Sequence, residues 1–433
     1  MHPTLRASTL AVLATATLVS PLPAQEPASV VFFHPDGLGV NTWAAVRVAT
    51  VGPDSRLNWD RLPHAAVYLG HMKNALAATS HGGATVHAYG VKVAYDSYGM
   101  DGGNPLVARS GAPMSILLEA QAAGRAIGIV NSGTITEPGT GAFVASVPNR
   151  YDHAEIVKQI LAAAPPVILG GGERHFLPRG AAGRHGPGAR DDGVDMVARA
   201  RGLGYTVVYT RDELLALPDS VRRVLGLFAS NHTFNDRSEE RLRERGLPFY
   251  AATAPTVGEM AAAALRILGR HPAGFMLVVE EEGTDNFGNA NNAAGTIEAG
   301  ARADAAIGVL LDHVEAHPRT LLLMTSDSDA GGLQVLGESS ADWLRAGRVL
   351  PERDANGAPV DGRDGTASLP FEAAPDRAGI RWPFAVAWMS HHDGLGGILM
   401  RAAGFGAEQV HGTMDNTDAY RVMYRVLFGR DLP

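Results

Sequence analysis

Short runs of almost unbroken apolar residues recur along this chain, and they constrain its fold more than any other feature. They are Val30–Phe33, Ala126–Val130, Pro166–Leu169, Thr206–Tyr209, Val224–Phe228, Gly274–Val279, Thr320–Thr325 and Phe384–Trp388. Each is too short for a membrane helix, and none alternates apolar with polar. That pattern predicts strands buried on both faces of a mostly parallel sheet. Helical periodicity separates several of them. It is clearest over Ala293–His317, where Ile297, Ala301, Ala305 and Val309 share one face and Glu298 and Arg302 pair on another. Alternating strands and helices predict a layered α/β architecture with a central mostly parallel sheet flanked by helices. In such a sheet the ligand-binding loops follow the C-terminal ends of the strands.

Those loops carry the polar content of interest. In order they read FFHPDGLG (Phe32–Gly39), ATSHGGATVHAYGVK (Ala78–Lys92), TEPGTGAFVASVPNR (Thr136–Arg150), ILGGG (Ile168–Gly172), VVEEEGTDNFGNANNA (Val278–Ala293), TSDSDAGG (Thr325–Gly332) and HHDG (His391–Gly394). Asp36 directly follows the first apolar run, where a carboxylate either holds a cation or caps the next helix. Gly82 and Gly83 allow close backbone approach, and the helix after them offers free N–H groups to an anion. Arg150 supplies a guanidinium fork that matches two phosphate oxygens.

The order and wording of these segments resemble the alkaline phosphatase family along most of the chain. The resemblance implies a three-layer fold of that family, with residues 332–382 as a small cap insertion in a domain spanning 25–433. It also implies hydrolysis of phosphate monoesters through a covalent phosphoenzyme, with divalent metal ions as cofactors. The nucleophilic Ser of the family is matched to His81, counting back from Gly90–Lys92, and its preceding Asp to Ser80. Attack by His81 through a neutral imidazole, giving a phosphohistidine, is the expectation; attack by Ser80, or His81 as a metal ligand or inert residue, are the alternatives. Arg150 falls on the phosphate-binding Arg. The metal positions fall on Asp36, Glu137, Thr140, Glu280, Asp285, Asn289, Asp327, Ser328 and His392. Asn289 and Ser328 stand where the family has His, which leaves an oxygen-rich ligand set. Such a set suits magnesium, calcium or manganese more than zinc in both usual places. His87, deeper in its helix, is expected to pack rather than react.

Composition narrows the alternatives. A net charge of −8 with no Lys/Arg stripe argues against a nucleic-acid partner and leaves small phosphate esters as the expected one. The absence of cysteine removes thiolate chemistry and speaks against a sulfatase. A phosphodiesterase on the same scaffold, or a non-catalytic cation- or phosphate-binding relative, remains as the alternative. Arg6, the apolar stretch Leu10–Val19 and Ala24 form the pattern of a cleavable leader over residues 1–24, so a periplasmic or secreted location is expected and no membrane span. A homodimer is expected only by family analogy.

Overall fold

The computed structural model describes residues 27–337 and 342–432. The leader pattern at residues 1–24 lies outside the described residues, as do 338–341 of the expected insertion. The main sheet has ten strands: β1 (Ser29–Pro35), β2 (His64–Leu69), β3 (Ala126–Thr134), β4 (Val167–Gly171), β5 (Thr206–Val208), β6 (Val224–Leu227), β7 (Phe275–Glu281), β8 (Thr320–Met324), β9 (Leu399–Gly404) and β10 (His411–Asp415). Their spatial order is β10-β2-β9-β8-β1-β7-β3-β4-β6-β5. All run parallel except β9, which is antiparallel to both of its neighbours.

Strand periodicity explains why the central runs read as uniformly apolar. On one face Val30, Phe32, Ile129, Val278 and Leu323 pack beneath α2 (Ser80–Tyr89) and the C-terminal helix Asp418–Phe428. On the other face Val31, Phe33, Leu277, Val279 and Leu322 pack beneath α1 (Val40–Thr50), the helix Val257–Leu268 and the long helix Ala293–Ala316. Every central strand is thus covered on both sides, and each large side chain so buried is worth about 1.5–3 kcal/mol. The long helix begins where the Asn292 side chain accepts from Gly295 N at 2.6 Å, satisfying one of its free N–H groups.

One expected member of the main sheet lies elsewhere. The run Phe384–Trp388 forms the strand Pro383–Ala387, the hub of a small antiparallel sheet with Gln334–Leu336, Val360–Gly362 and Phe371–Glu372. Its run reads apolar because both faces are buried there too. Phe384, Val386 and Trp388 pack on Ala45 and Ile297, while Ala385 packs on Leu344, Leu350 and Val360. The small sheet therefore extends past the expected 332–382 boundary. Conversely, β2, β9 and β10 have no counterpart among the expected runs. β2 is half-exposed, with Val67 and Leu69 facing outward. None of the described helices is long and apolar enough to cross a membrane.

Candidate active site

The apolar rows of the sheet end in a polar one. Ile129, Val278 and Phe32 are neighbours in register across β3, β7 and β1, and two residues on, the same positions become Asn131, Glu280 and His34. Side chains two apart on a strand share a face, so this row points into the layer that holds α2. Asp36, two residues beyond His34, continues on the same side. The loop after β8 adds Asp327 and Ser328, and the loop after β7 adds Glu282 and, on α3 (Gly283–Asn289), Asp285. Loops at the C-terminal ends of adjacent parallel strands thus converge on one spot.

Gly37 makes the convergence sterically feasible. It has a positive φ of 64°, and a Cβ there would lie 2.7 Å from Asp285 Oδ1 and 2.6 Å from Ala330 Cβ. Gly83 plays the same part from α2, where a Cβ would lie 2.6 Å from Asp327 Oδ2. The first turn of α2 therefore rests directly on Asp327.

The cluster is electrostatically one-sided. Asp36, Glu280, Glu282, Asp285 and Asp327 are all buried. Both oxygens of Asp36 and of Asp327, and one each of Glu280 and Glu282, have no hydrogen-bond partner in the protein. Burial, then the charges of Asp327 and Asp285, push the Asp36 carboxyl well above its ordinary range. Burial and Glu137 do the same to Glu282, and burial and Asp393 to Asp285. Two like charges about 4 Å apart cost roughly 4 kcal/mol even at an effective dielectric constant of 20. Divalent cations remove that cost and satisfy the bare oxygens together. Two trios bring ligand atoms within 4.8 Å of one another: His34, Asp36 and Glu280, and Asp36, Glu282 and Asp285. Asp36 belongs to both. Glu281, between two cluster members in sequence, is occupied otherwise: Ser132 Oγ at 2.7 Å, Tyr250 OH at 2.8 Å and Gly283 N at 3.0 Å all donate to its Oε1.

The sequence-derived positions sort as follows. Thr140 is tied to Glu280 through Asn131, whose Nδ2 donates to Thr140 Oγ1 at 3.0 Å and to Glu280 Oε2. Ser328 is buried with its Oγ unpartnered, and Asn289 presents a buried, unpartnered Oδ1 while its Nδ2 donates to Asp285 at 3.0 Å and Asp393 at 2.8 Å. Glu137 lies outside both trios. Its carboxylate pairs with Arg150, Nη2 to Oε2 at 2.6 Å, because a guanidinium is the nearest cation able to neutralise it. His392 is exposed and also lies outside both trios. The reason is strand parity: Asp393 and Gly394 bridge Ala330 and Asp329, so adjacent residues face opposite ways and Asp393 turns inward instead.

Ser80 and His81 open α2 but face different neighbours. Ser80 shares a helical face with Gly83 and His87, the face that meets Asp327 and His34. His81, one residue on, meets Arg150, whose Nη1 lies 3.3 Å from its Nδ1. Burial and the Arg150 charge bring the His81 imidazole down to about 4, so it is neutral near pH 7 and accepts from the guanidinium. Thr79 caps the helix, with its Oγ1 accepting from Gly82 N at 3.4 Å. His87 is fully buried, with Nε2 2.8 Å from Tyr68 OH, in the packing role expected of it. His34, Asn131, Glu282 and Asp393 are the site residues that motif matching missed. For His34 the signal was present: it lies two residues before Asp36 on a strand.

A family model described as alkaline phosphatase matches residues 28–356. The tissue-nonspecific alkaline phosphatase of Gallus gallus is 29% identical over 339 residues, covering 69% of this chain and 63% of that protein. The chain thus spans under two thirds of that relative's length. The streptomycin-6-phosphate phosphatase of Streptomyces griseus is 29% identical over 371 residues, covering 74% and 78%. Among solved structures, Thermus thermophilus alkaline phosphatase superposes with a TM-score of 0.72 at 23% identity, covering 94% of this chain and 92% of that one. The alkaline phosphatase of the Antarctic bacterium TAB5 gives 0.69 at 18%, covering 94% and 100%. At these identities the two structures establish a shared fold.

Proposed function

Because the chain belongs to the alkaline phosphatase family, we propose that it is an exported, metal-dependent hydrolase of phosphate monoesters working through a covalent phosphoenzyme. The observation that carries this reading is the convergence of bare, buried carboxylates, the N-terminus of α2 and Arg150 at one end of the sheet. Bound divalent ions would neutralise phosphate oxygens and favour an ionised nucleophile beside them. Asp36, Glu280, Glu282, Asp285 and Asp327 would hold them, with Asn289, Asp393, Ser328 and Thr140 at the margins.

The attacking group in this proposal is Ser80. Its helical face meets Asp327, and the free N–H groups of the first turn of α2 favour an anion there. Ser80 Oγ gives up its proton and bonds to phosphorus as the bond to the ester oxygen breaks and that oxygen leaves as the alcohol; water then attacks phosphorus, the P–Oγ bond breaks and a proton returns to Oγ, with inversion at each step. Arg150 leaves Glu137 to clamp two phosphate oxygens, a better partner for its fork than one carboxylate oxygen. His81 is a positioning residue for Arg150 in this scheme, which reverses the order suggested by motif counting. The leader pattern before Ala24 supports export. Asn289 and Ser328 at positions where the family has His favour the rival reading of a non-catalytic binding protein.

The test is hydrolysis of an aryl phosphate by metal-stripped protein re-supplied with zinc, magnesium, calcium or manganese. At least one metal should restore turnover; retained metal binding with no turnover under any of them means a binding protein. Arg150→Ala should cost about 10²–10³ in kcat/KM, the scale for losing one oriented donor to transition-state charge. Arg150→Lys should recover only part of it, since an ammonium lacks the fork.

A further inference from the structure

We infer that His34 is a metal ligand, replacing through strand β1 the imidazole that the loop after β8 lacks at Ser328. This rests on the reading of the carboxylate cluster as a metal centre, and it adds a ligand that motif matching did not assign.

The geometry is specific. His34 is completely buried, and neither ring nitrogen has a hydrogen-bond partner. An imidazole so buried and unpartnered costs free energy unless something satisfies it. Its Nε2 lies 3.8 Å from Asp36 Oδ1 and 3.7 Å from Asp327 Oδ1, and its Nδ1 lies 3.6 Å from Glu280 Oε1. These separations are too long for hydrogen bonds. They are close to the spacing between neighbouring ligands when each sits about 2.0–2.2 Å from a shared ion, or slightly farther for calcium. Nε2 thus sits at ligand spacing from an oxygen of each Asp, and His34 belongs with Asp36 and Glu280 to one of the two trios. The opposite nitrogen, Nδ1, faces Glu280 Oε1 at 3.6 Å, so a carboxylate stands on the side from which a ligating imidazole is usually oriented.

The surroundings hold His34 in this pose. Phe32 stacks parallel to it with centroids 6.1 Å apart, and His87 packs edge-on at 5.7 Å. His87 Nε2 is held by Tyr68 OH, and its ring presents an edge to His34. Asn131 fixes Glu280 from the far side. Ser328, beside Asp327, is buried with its Oγ unpartnered. One extra nitrogen moves the oxygen-rich shell toward manganese or zinc and away from calcium.

The test is pulsed electron paramagnetic resonance of the full chain loaded with manganese(II), together with manganese affinity by calorimetry. Wild type should show nitrogen-14 coupling to the ion, and His34→Ala should abolish it while weakening binding at least 100-fold, beyond the 10–100-fold typical of an outer-shell partner. His34→Leu keeps an apolar side chain of similar size on the strand and should give the same result if the Ala variant folds poorly. His392→Ala should retain both coupling and affinity. Coupling that persists in His34→Leu, or that is missing from wild type, overturns the inference whatever the turnover. Loss of turnover with the coupling intact would instead strike the catalytic proposal alone.

Discussion

Ser80→Ala is expected to lower aryl phosphate hydrolysis by on the order of 10⁴-fold or more, the scale for removing a covalent nucleophile. His81→Ala should cost far less, about 10–100-fold, because it releases Arg150 without removing the attacking atom. The two residues are adjacent, yet one helical step turns them toward different partners. Ser80 lies on the helical face whose Gly83 rests on Asp327, whereas His81 shares Arg150 with Glu137. Trapping the phosphoenzyme separates the assignments chemically as well as kinetically. A phosphoserine survives acid, whereas a phosphohistidine is lost in it but withstands base. An acid-labile label that disappears in His81→Ala and persists in Ser80→Ala would hand the attack to the imidazole. Metal content should be measured in each variant, since Ser80 borders the carboxylate cluster.

Stripping the metals should make stability fall as pH rises from about 6.5 to 9, and re-supplying them should remove that fall. In the metal-free protein Asp36, Glu282 and Asp285 keep their protons to higher pH than their unfolded counterparts. The native state then binds more protons than the unfolded one, so raising pH destabilises it. His34 adds to the trend. Burial opposes its charge, but Asp327 and Glu280 outweigh burial and raise it to about 9, so its ionic contribution is full below 6.5 and gone above 9. His81 and His87, held neutral at about 4 and about 3 by burial, act only below 6.5, where they make stability rise with pH. Below 6.5 that rise opposes the fall from the carboxylates, so the net decline stands out above 6.5. An ion at 1,000 times its Kd adds about 4 kcal/mol, and proton competition makes that gain grow with pH. At pH 9 the melting temperatures with and without metal should differ by on the order of 5–10 °C. Parallel melting curves across this range would mean that the cluster holds no ion.

Much of the fold was legible because burial on both faces leaves an unmistakable pattern. β1, β3, β7 and β8 lie where the apolar runs predicted them, and the helix Ala293–Ala316 matches its expected extent almost to the residue; its buried face, however, runs through Ala299, Ala303, Ala306, Ile307 and Leu310, while Ala305 of the expected face is exposed and Ala301 and Val309 are half-buried. The same pattern misled at Phe384–Trp388, since a small sheet with two covered faces produces identical composition. At the site, Asp36, Glu280, Asp285 and Asp327 came from motif order and do meet. His392 did not, because motif matching cannot tell which of two adjacent residues a bridge turns inward. Glu137 pairs with Arg150 instead of joining either trio, a contact across a loop that motif matching does not register. His34 escapes motif matching because it sits on the strand before the loops and not in one of them.

The polar row of Asn131, Glu280 and His34 has a consequence for how the chain reaches its folded state. Asn131 and Glu280 are 149 residues apart, and Leu38, two residues after Asp36, donates its N–H to Ser326 Oγ across 288. No segment of local sequence brings these groups together, so loop closure must be complete before an ion finds its cage. A bound ion would therefore complete its shell only late in folding, and would act on the reverse step, as a clasp that slows unravelling of an already assembled sheet and lengthens the lifetime of the protein without hastening its birth.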